Sequence, residues 1–180
     1  MLNDQQRLEE AFHVCQEASA SGDKEIHVWV AGSRRAGSKI GGWAYRLVIG
    51  EDIVHEDAGA IPNITSANRM VLVAVVYGIL MAAKRGADSI VVHCACEYIC
   101  RDGNGGCLRW QQDGWAGVTD SDLWRIVYAI AHEPYRKVGV KVEPRFKVRF
   151  EQISSARGNP HFSAARSRSR IAVKSERRRS

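Results

Sequence analysis

Residues 66–85, SANRMVLVAVVYGILMAAKR, constrain the fold more than any other part of the chain. Between Met70 and Ala83 there is no charge, and the Tyr77 hydroxyl is the one strong hydrogen-bonding group. The apolar positions run nearly all the way round a helix instead of keeping to a stripe, and such a helix has to be enclosed on most sides. A bilayer span needs about 18–20 consecutive apolar residues, more than this run offers. The expectation is therefore a core helix with sheet packed around it, and no membrane association. Ser66 provides an oxygen for an N-cap. Lys84 and Arg85 suit the negative end of the helix dipole, and Gly86 is free to take the left-handed conformation that ends it.

The flanking segments supply the sheet. Glu25–Ala31 alternates, with Ile26, Val28 and Val30 on one face and His27, Trp29 and Ala31 on the other. A basic, glycine-rich loop, residues 32–42, leads to a second alternation through Trp43, Tyr45, Leu47 and Ile49, and residues 53–59 return as a third strand. Ser89–Cys94 follows the core helix directly, so it is expected to run parallel to the first strand. Residues 97–115 read as short helices broken at Asp102-Gly103-Asn104-Gly105-Gly106, and residues 122–132 as an amphipathic helix capped by Asp120 or Ser121. Residues 145–151 alternate Phe146, Val148 and Phe150 against Arg145, Lys147 and Arg149, a fifth strand. The expected class is α/β: a mixed five-stranded sheet, antiparallel over its first three strands and parallel at the last two, flanked by helices.

Charge divides the chain. The net charge is +6 over 180 residues, yet residues 154–180 hold eight Lys/Arg against one Glu, which leaves the preceding body slightly negative. The reading is three parts: an N-terminal helix and linker over residues 1–24, a domain over 25–162, and a basic Arg/Ser tail over 163–180. The N-terminus is polar, without a secretory signal, and five cysteines are an odd number for a paired disulfide scaffold. Both point to a reducing, intracellular setting, cytoplasmic or nuclear.

Several blocks, in order, resemble the type 1 ribonuclease H family. They are Val30-Ala31-Gly32-Ser33 with Gly41-Gly42-Trp43-Ala44, then Ser66-Ala67-Asn68-Arg69-Met70-Val71-Leu72, then Cys94-Ala95-Cys96-Glu97-Tyr98-Ile99, Asp122-Leu123-Trp124 and Gly158-Asn159-Pro160. The resemblance spans residues 25–162 and implies that family's fold. It also implies an activity, cleavage of the RNA strand of an RNA–DNA hybrid by two Mg²⁺ ions held on four carboxylates. Mg²⁺ requires such hard oxygen ligands. Here the carboxylate positions carry Ala31, Val71 and Ala95, residues 162–175 contain no Asp or Glu, and the family's loop histidine falls on Ala156. Alanine is a common engineered replacement for aspartate. Valine is not one for glutamate, so a naturally degenerate site is the preferred reading. No catalytic residue, metal ligand or cofactor is assigned, and Mg²⁺ enters only under the alternative of an active nuclease.

Binding chemistry is what the resemblance leaves in place. Ser66 and Asn68 keep hydrogen-bonding groups at the helix start, and Arg34 and Arg35 supply cations in the first loop. Arg166, Arg168, Arg170, Lys174, Arg177, Arg178 and Arg179 make the tail a candidate nucleic-acid arm. Cys94, Cys96, Cys100 and Cys107 do not have the spacing of a structural zinc site. The expected function is a catalytically inactive ribonuclease H-like domain that binds RNA–DNA hybrid or structured RNA, or scaffolds a nucleoprotein or reverse-transcription-type complex. The rivals are an active nuclease with ligands elsewhere, such as Glu97 or Asp102, or with mutated aspartates, and a structural protein-interaction module.

Overall fold

The computed structural model describes residues 24–37, 39–63, 66–132, 135–138, 141–144, 147–154 and 158–178. The N-terminal helix expected over residues 1–24 lies outside them, apart from Lys24. Strands β1 (Glu25–Arg34), β2 (Gly41–Ile49) and β3 (Asp52–Ile61) form an antiparallel meander. Helix α1 (Ala67–Lys84) returns the chain to β4 (Ser89–Cys94), which lies parallel to β1. The last sheet strand, β7 (Lys147–Gln152), pairs in parallel with β4, giving the order β3-β2-β1-β4-β7. This is the mixed sheet read from the alternation of apolar residues. The strands extend further than their apolar cores, so the basic loop between β1 and β2 shrinks to residues 35–40.

Helix α1 packs on one face of the sheet, against β1, β2 and β4. Eleven of its residues are buried, from Met70 to Ala83, and they meet Ile26, Val28 and Val30 of β1 in the main core. Gly78 lets the helix sit close: a Cβ there would lie 2.4 Å from Val28 Cγ1. The Ser66 hydroxyl accepts from Arg69 N at 3.1 Å, and Gly86, at φ 73°, follows the helix end. Helix α4 (Ser121–His132) packs against α1, and Arg69 fixes the pair by bonding Asp120 and both carboxylate oxygens of Asp122.

Three features depart from the sequence reading. The glycine-rich break is not a break. Helix α2 (Glu97–Arg101) widens into a π-helical turn (Asp102–Gly106) and continues as α3 (Cys107–Gln112), with Arg101 and Cys107 in helical conformation at the joins. The widened turn presses on β7. A Cβ at Gly103 would lie 2.5 Å from the Phe150 ring, and the Asn104 amide bonds Phe150 N and O, both at 2.8 Å. Strands β5 (Tyr135–Val138) and β6 (Lys141–Pro144) form a separate two-stranded sheet that periodicity did not reveal.

The third departure matters most. The boundary expected at residue 162 falls inside helix α5 (Pro160–Arg177), which packs across β1, β2 and β3 on the face opposite α1. Asn159 caps it, accepting from Phe162 N at 2.9 Å, and Pro160 opens it. The buried stripe is narrow: Phe162, Ala165, Ser169 and Val173, with spacings suited to one helix face. Ser169 is fully buried, but its hydroxyl donates to Arg166 O at 2.9 Å and is satisfied within the helix. Small residues set the approach, since a Cβ at Gly42 of β2 would lie 2.0 Å from Ser169 O. An Arg/Ser composition hides this stripe because one of its four members is a serine.

Candidate nucleic-acid interface

The three positions where the resemblance places metal-binding carboxylates lie at the end of the sheet where β1, β4 and α1 meet. Ala31 is in β1, Ala95 directly follows β4, and Val71 is in the first turns of α1. The recorded β1–β4 register ends at Trp29 opposite His93, and two more steps set Ala31 level with Ala95. Gly32 touches the helix: a Cβ there would lie 2.5 Å from Val71 N. Cys96 Sγ points toward Asn68 Oδ1 at 3.8 Å, linking the end of β4 to the start of α1.

The chemistry at this junction is apolar. Ala31 is 3% exposed and packs with Phe162 and Ala165 beneath α5, flanked by Trp29 and Ile153. Methyl, isopropyl and phenyl groups offer no lone pair to a hard cation, so these residues do not fit a Mg²⁺ site. Among the described residues no three His, Cys, Asp or Glu side chains are grouped to hold a metal ion. Glu97 is exposed at the start of α2. Asp102 is buried and bonded to Arg101, at 3.0 and 3.1 Å. Cys94, Cys100 and Cys107 are buried and Cys96 is half-buried. Burial pushes the Cys107 thiol up to about 12, as for a small side chain packed in an apolar surrounding.

Next to this apolar junction lies a basic cavity of about 580 Å³, lined by Gly32, Ser33, Arg34 and Arg35 of β1 and its turn, Ala67 of α1, and Arg166, Arg170, Val173 and Lys174 of α5. Five cationic side chains line it and, among the described residues, no carboxylate does. The cause is local: Arg166, Arg170 and Lys174 recur every four residues, so one face of α5 carries all three. Phe162, Ala165, Ser169 and Val173, on the adjoining face, fix the rotation that turns the cations toward β1. Ala67 is the first residue of α1, whose first turn has no acidic residue, so the positive end of that helix dipole meets the cavity unneutralised. Ser33 is also on the wall, and its buried hydroxyl oxygen has no hydrogen-bond partner among the described residues.

The residues singled out from the sequence therefore separate. Arg34, Arg35, Arg166, Arg170 and Lys174 come together. Ser66 and Asn68 flank Ala67 at the rim, Ser66 as the cap of α1 and Asn68 exposed. Arg168 is turned away and pairs with Glu56, which also pairs with Arg46, tying α5 to β2 and β3. Arg177 closes α5, Arg178 is exposed just after it, and Arg179 lies outside the described residues. Ser33 was missed, though it sits beside two arginines at the end of β1. A polar network on the same sheet face was missed as well. His27 Nδ1 and His93 Nε2 are 2.8 Å apart, Trp29 stacks on His93 at 3.9 Å, and His161 tilts over Trp29 at 5.5 Å. Burial lowers the pKa of His93 to about 4, so the ring is neutral at physiological pH.

No protein-family model and no curated protein matches the sequence. Solved structures do match. The N-terminal RNase H domain of Rv2228c from Mycobacterium tuberculosis aligns with TM-score 0.63 and 16% identity over 87% of this chain and 98% of its own. LC11-RNase H1, solved in complex with RNA/DNA hybrid, aligns with TM-score 0.60 and 16% identity over 84% of this chain and 98% of its own. The foamy viral protease-reverse transcriptase, solved with double-stranded DNA, aligns with TM-score 0.61 and 12% identity over 89% of this chain and 97% of that chain. At these identities the shared property is the fold.

Proposed function

We propose that this chain, which has the ribonuclease H fold, binds nucleic acid through the basic cavity between β1, α1 and α5 and does not cleave it. The observation that carries the reading is the convergence of Arg34, Arg35, Arg166, Arg170 and Lys174 on the wall of one cavity. Sequence-remote cations gathered in one place are the footprint of a polyanionic partner. Neighbours of the same fold were solved with an RNA/DNA hybrid and with double-stranded DNA, and an RNA–DNA hybrid or structured RNA is the class proposed here. The apolar packing of Ala31 against Phe162 and Ala165 supports the absence of metal-dependent hydrolysis. The foamy viral likeness makes a larger nucleoprotein or reverse-transcription-type assembly the natural setting, and four thiols unpaired in the structure suit a reducing intracellular one.

The test has two arms. A labelled RNA–DNA hybrid incubated with the protein and Mg²⁺ or Mn²⁺ stays intact; cleavage that copurifies with the protein overturns the inactive reading. Binding of the same hybrid weakens as salt rises, by about 0.9 in the slope of log K for each duplex phosphate neutralised. Substituting Arg166, Arg170 and Lys174 together with Gln flattens that slope by roughly two to three. An unchanged slope removes the cavity from the interface. Truncating the chain before α5 is a poor substitute, because Phe162, Ala165 and Val173 would leave the sheet exposed.

A further inference from the structure

The cavity differs in form from a surface that tracks a duplex. Its walls come from three separate elements: the β1 end, the first turn of α1 and one face of α5. From Arg166 to Lys174 the helix advances about 12 Å, so the cations on α5 form a row along one wall. The opposite wall is Gly32 and Ser33, where Gly32 lies against the backbone of α1 and the buried Ser33 oxygen has no partner among the described residues. An internal phosphodiester carries a single charge and sits on the convex outside of a helix. It leaves an inner wall of this kind unfilled. A terminal phosphomonoester carries close to two charges at neutral pH and three oxygens that accept hydrogen bonds. It also projects beyond the last sugar and reaches into a concavity.

We infer that the cavity receives the terminal phosphomonoester of a nucleic-acid strand, held between Arg35, Arg170 and Lys174 with the Ser33 hydroxyl donating to a phosphate oxygen. Arg166, one turn before Arg170 on the same wall, then contacts the next phosphate of the same strand. This rests on the proposed nucleic-acid reading and adds to it a preference for strand ends. The same chemistry is presented by a free nucleoside monophosphate, so the test separates the two sources.

Fluorescence anisotropy would compare hybrids of one sequence whose ends carry a 5′-phosphate, a 3′-phosphate or hydroxyls only, at one salt concentration. One of the phosphorylated hybrids binds at least about tenfold more tightly than the hydroxyl form, the scale of one added charge-assisted contact. Lowering the pH from 7.5 to 5.5 shrinks this ratio, because the phosphomonoester loses its second charge near pH 6. Arg170→Gln and Lys174→Gln reduce the ratio to within about twofold. Arg168→Gln removes the same charge from the same helix but outside the cavity, and it keeps the ratio. Melting temperatures of all three variants verify folding. Equal binding of phosphorylated and hydroxyl ends, or equal loss in Arg168→Gln and Arg170→Gln, overturns the end preference while leaving the general interface standing. No binding of any hybrid overturns the nucleic-acid reading itself. Competition by a nucleoside 5′-monophosphate alone, at concentrations matching the hybrid, supports the phosphomonoester and assigns the free nucleotide as its source; its failure to compete beside a tenfold end preference assigns the strand end.

Discussion

His27 Nδ1 and His93 Nε2 face each other across 2.8 Å on the adjacent strands β1 and β4, so one proton serves both nitrogens. Trp29 stacks on His93 at 3.9 Å, and Glu151, Glu25 and Arg149 surround the pair from β7 and β1. The His93 pKa is lowered to about 4, chiefly by burial, against an ordinary value of 6.5. The folded state therefore resists a proton that the unfolded chain accepts. Above pH 6.5 the group contributes no pH dependence. As pH falls from 6.5 toward 4 the unfolded state is favoured progressively, by on the order of 3 kcal/mol once both limits are passed. Urea midpoints measured between pH 7.5 and 4 should fall in the parent and fall less steeply in His93→Gln. Parallel curves would show that His93 is not the group titrating.

The docking of α5 depends on Gly42. A Cβ at that position meets a main-chain oxygen, Ser169 O, at 2.0 Å, and no side-chain rotation relieves it. Gly42→Ala is expected to destabilise the protein by about 1–3 kcal/mol. Limited trypsin digestion should then cut first among Arg166, Arg168 and Arg170, which the docked helix protects. A variant as stable and as resistant as the parent would mean that α5 does not lie on β2.

Ser33 should trade stability against binding. Its buried hydroxyl has no partner among the described residues, and leaving such a group unpaired costs about 1–3 kcal/mol. Ser33→Ala is expected to raise the melting temperature and, in the same preparation, to lower affinity for a phosphate-ended hybrid. A fall in both quantities would show that the hydroxyl is satisfied inside the protein.

Arg69 joins α1 to α4, with Asp120 on one nitrogen and Asp122 on both. Its guanidinium lowers the pKa of Asp122, first through the side-chain hydrogen bond. The Arg69–Asp122 pair contributes stability above the ordinary Asp range, and that contribution is lost as pH falls through the lowered value. The Asp122 side chain is 60% exposed, so the screened contribution is small. Arg69→Met should cost about 1 kcal/mol at pH 7 and less near pH 2, read from urea midpoints. A cost independent of pH would place the effect in packing.

The sheet and α1 were legible because their signals are apolar and periodic: Ile26, Val28 and Val30 alternate, and Met70–Ala83 is apolar all round. Helix α5 was not, because it is held by one aromatic, two small residues and a valine among six hydrophilic neighbours between Ser163 and Lys174. Missing the helix also hid its consequence. The four-residue spacing of Arg166, Arg170 and Lys174 becomes a cavity wall only when the chain is helical, and Arg168 leaves the set for the same reason. The His27–His93 contact joins residues 66 positions apart in sequence, and nothing local in either segment announces it. The hairpin of β5 and β6 is four residues per strand, too short for alternation to stand out.

Asn104 gives the sheet a polarity of growth. A strand at the margin of a sheet offers main-chain groups that any passing extended peptide can adopt. At Phe150 both of those groups are already taken by one carboxamide, which imitates the next strand with a single side chain. Gly103 holds that carboxamide in place by lying flat against the Phe150 ring. An incoming peptide on the β7 side must therefore evict two hydrogen bonds to pair with Phe150. The π-helical turn works as a doorstop on that margin, set there by a side chain from outside the sheet.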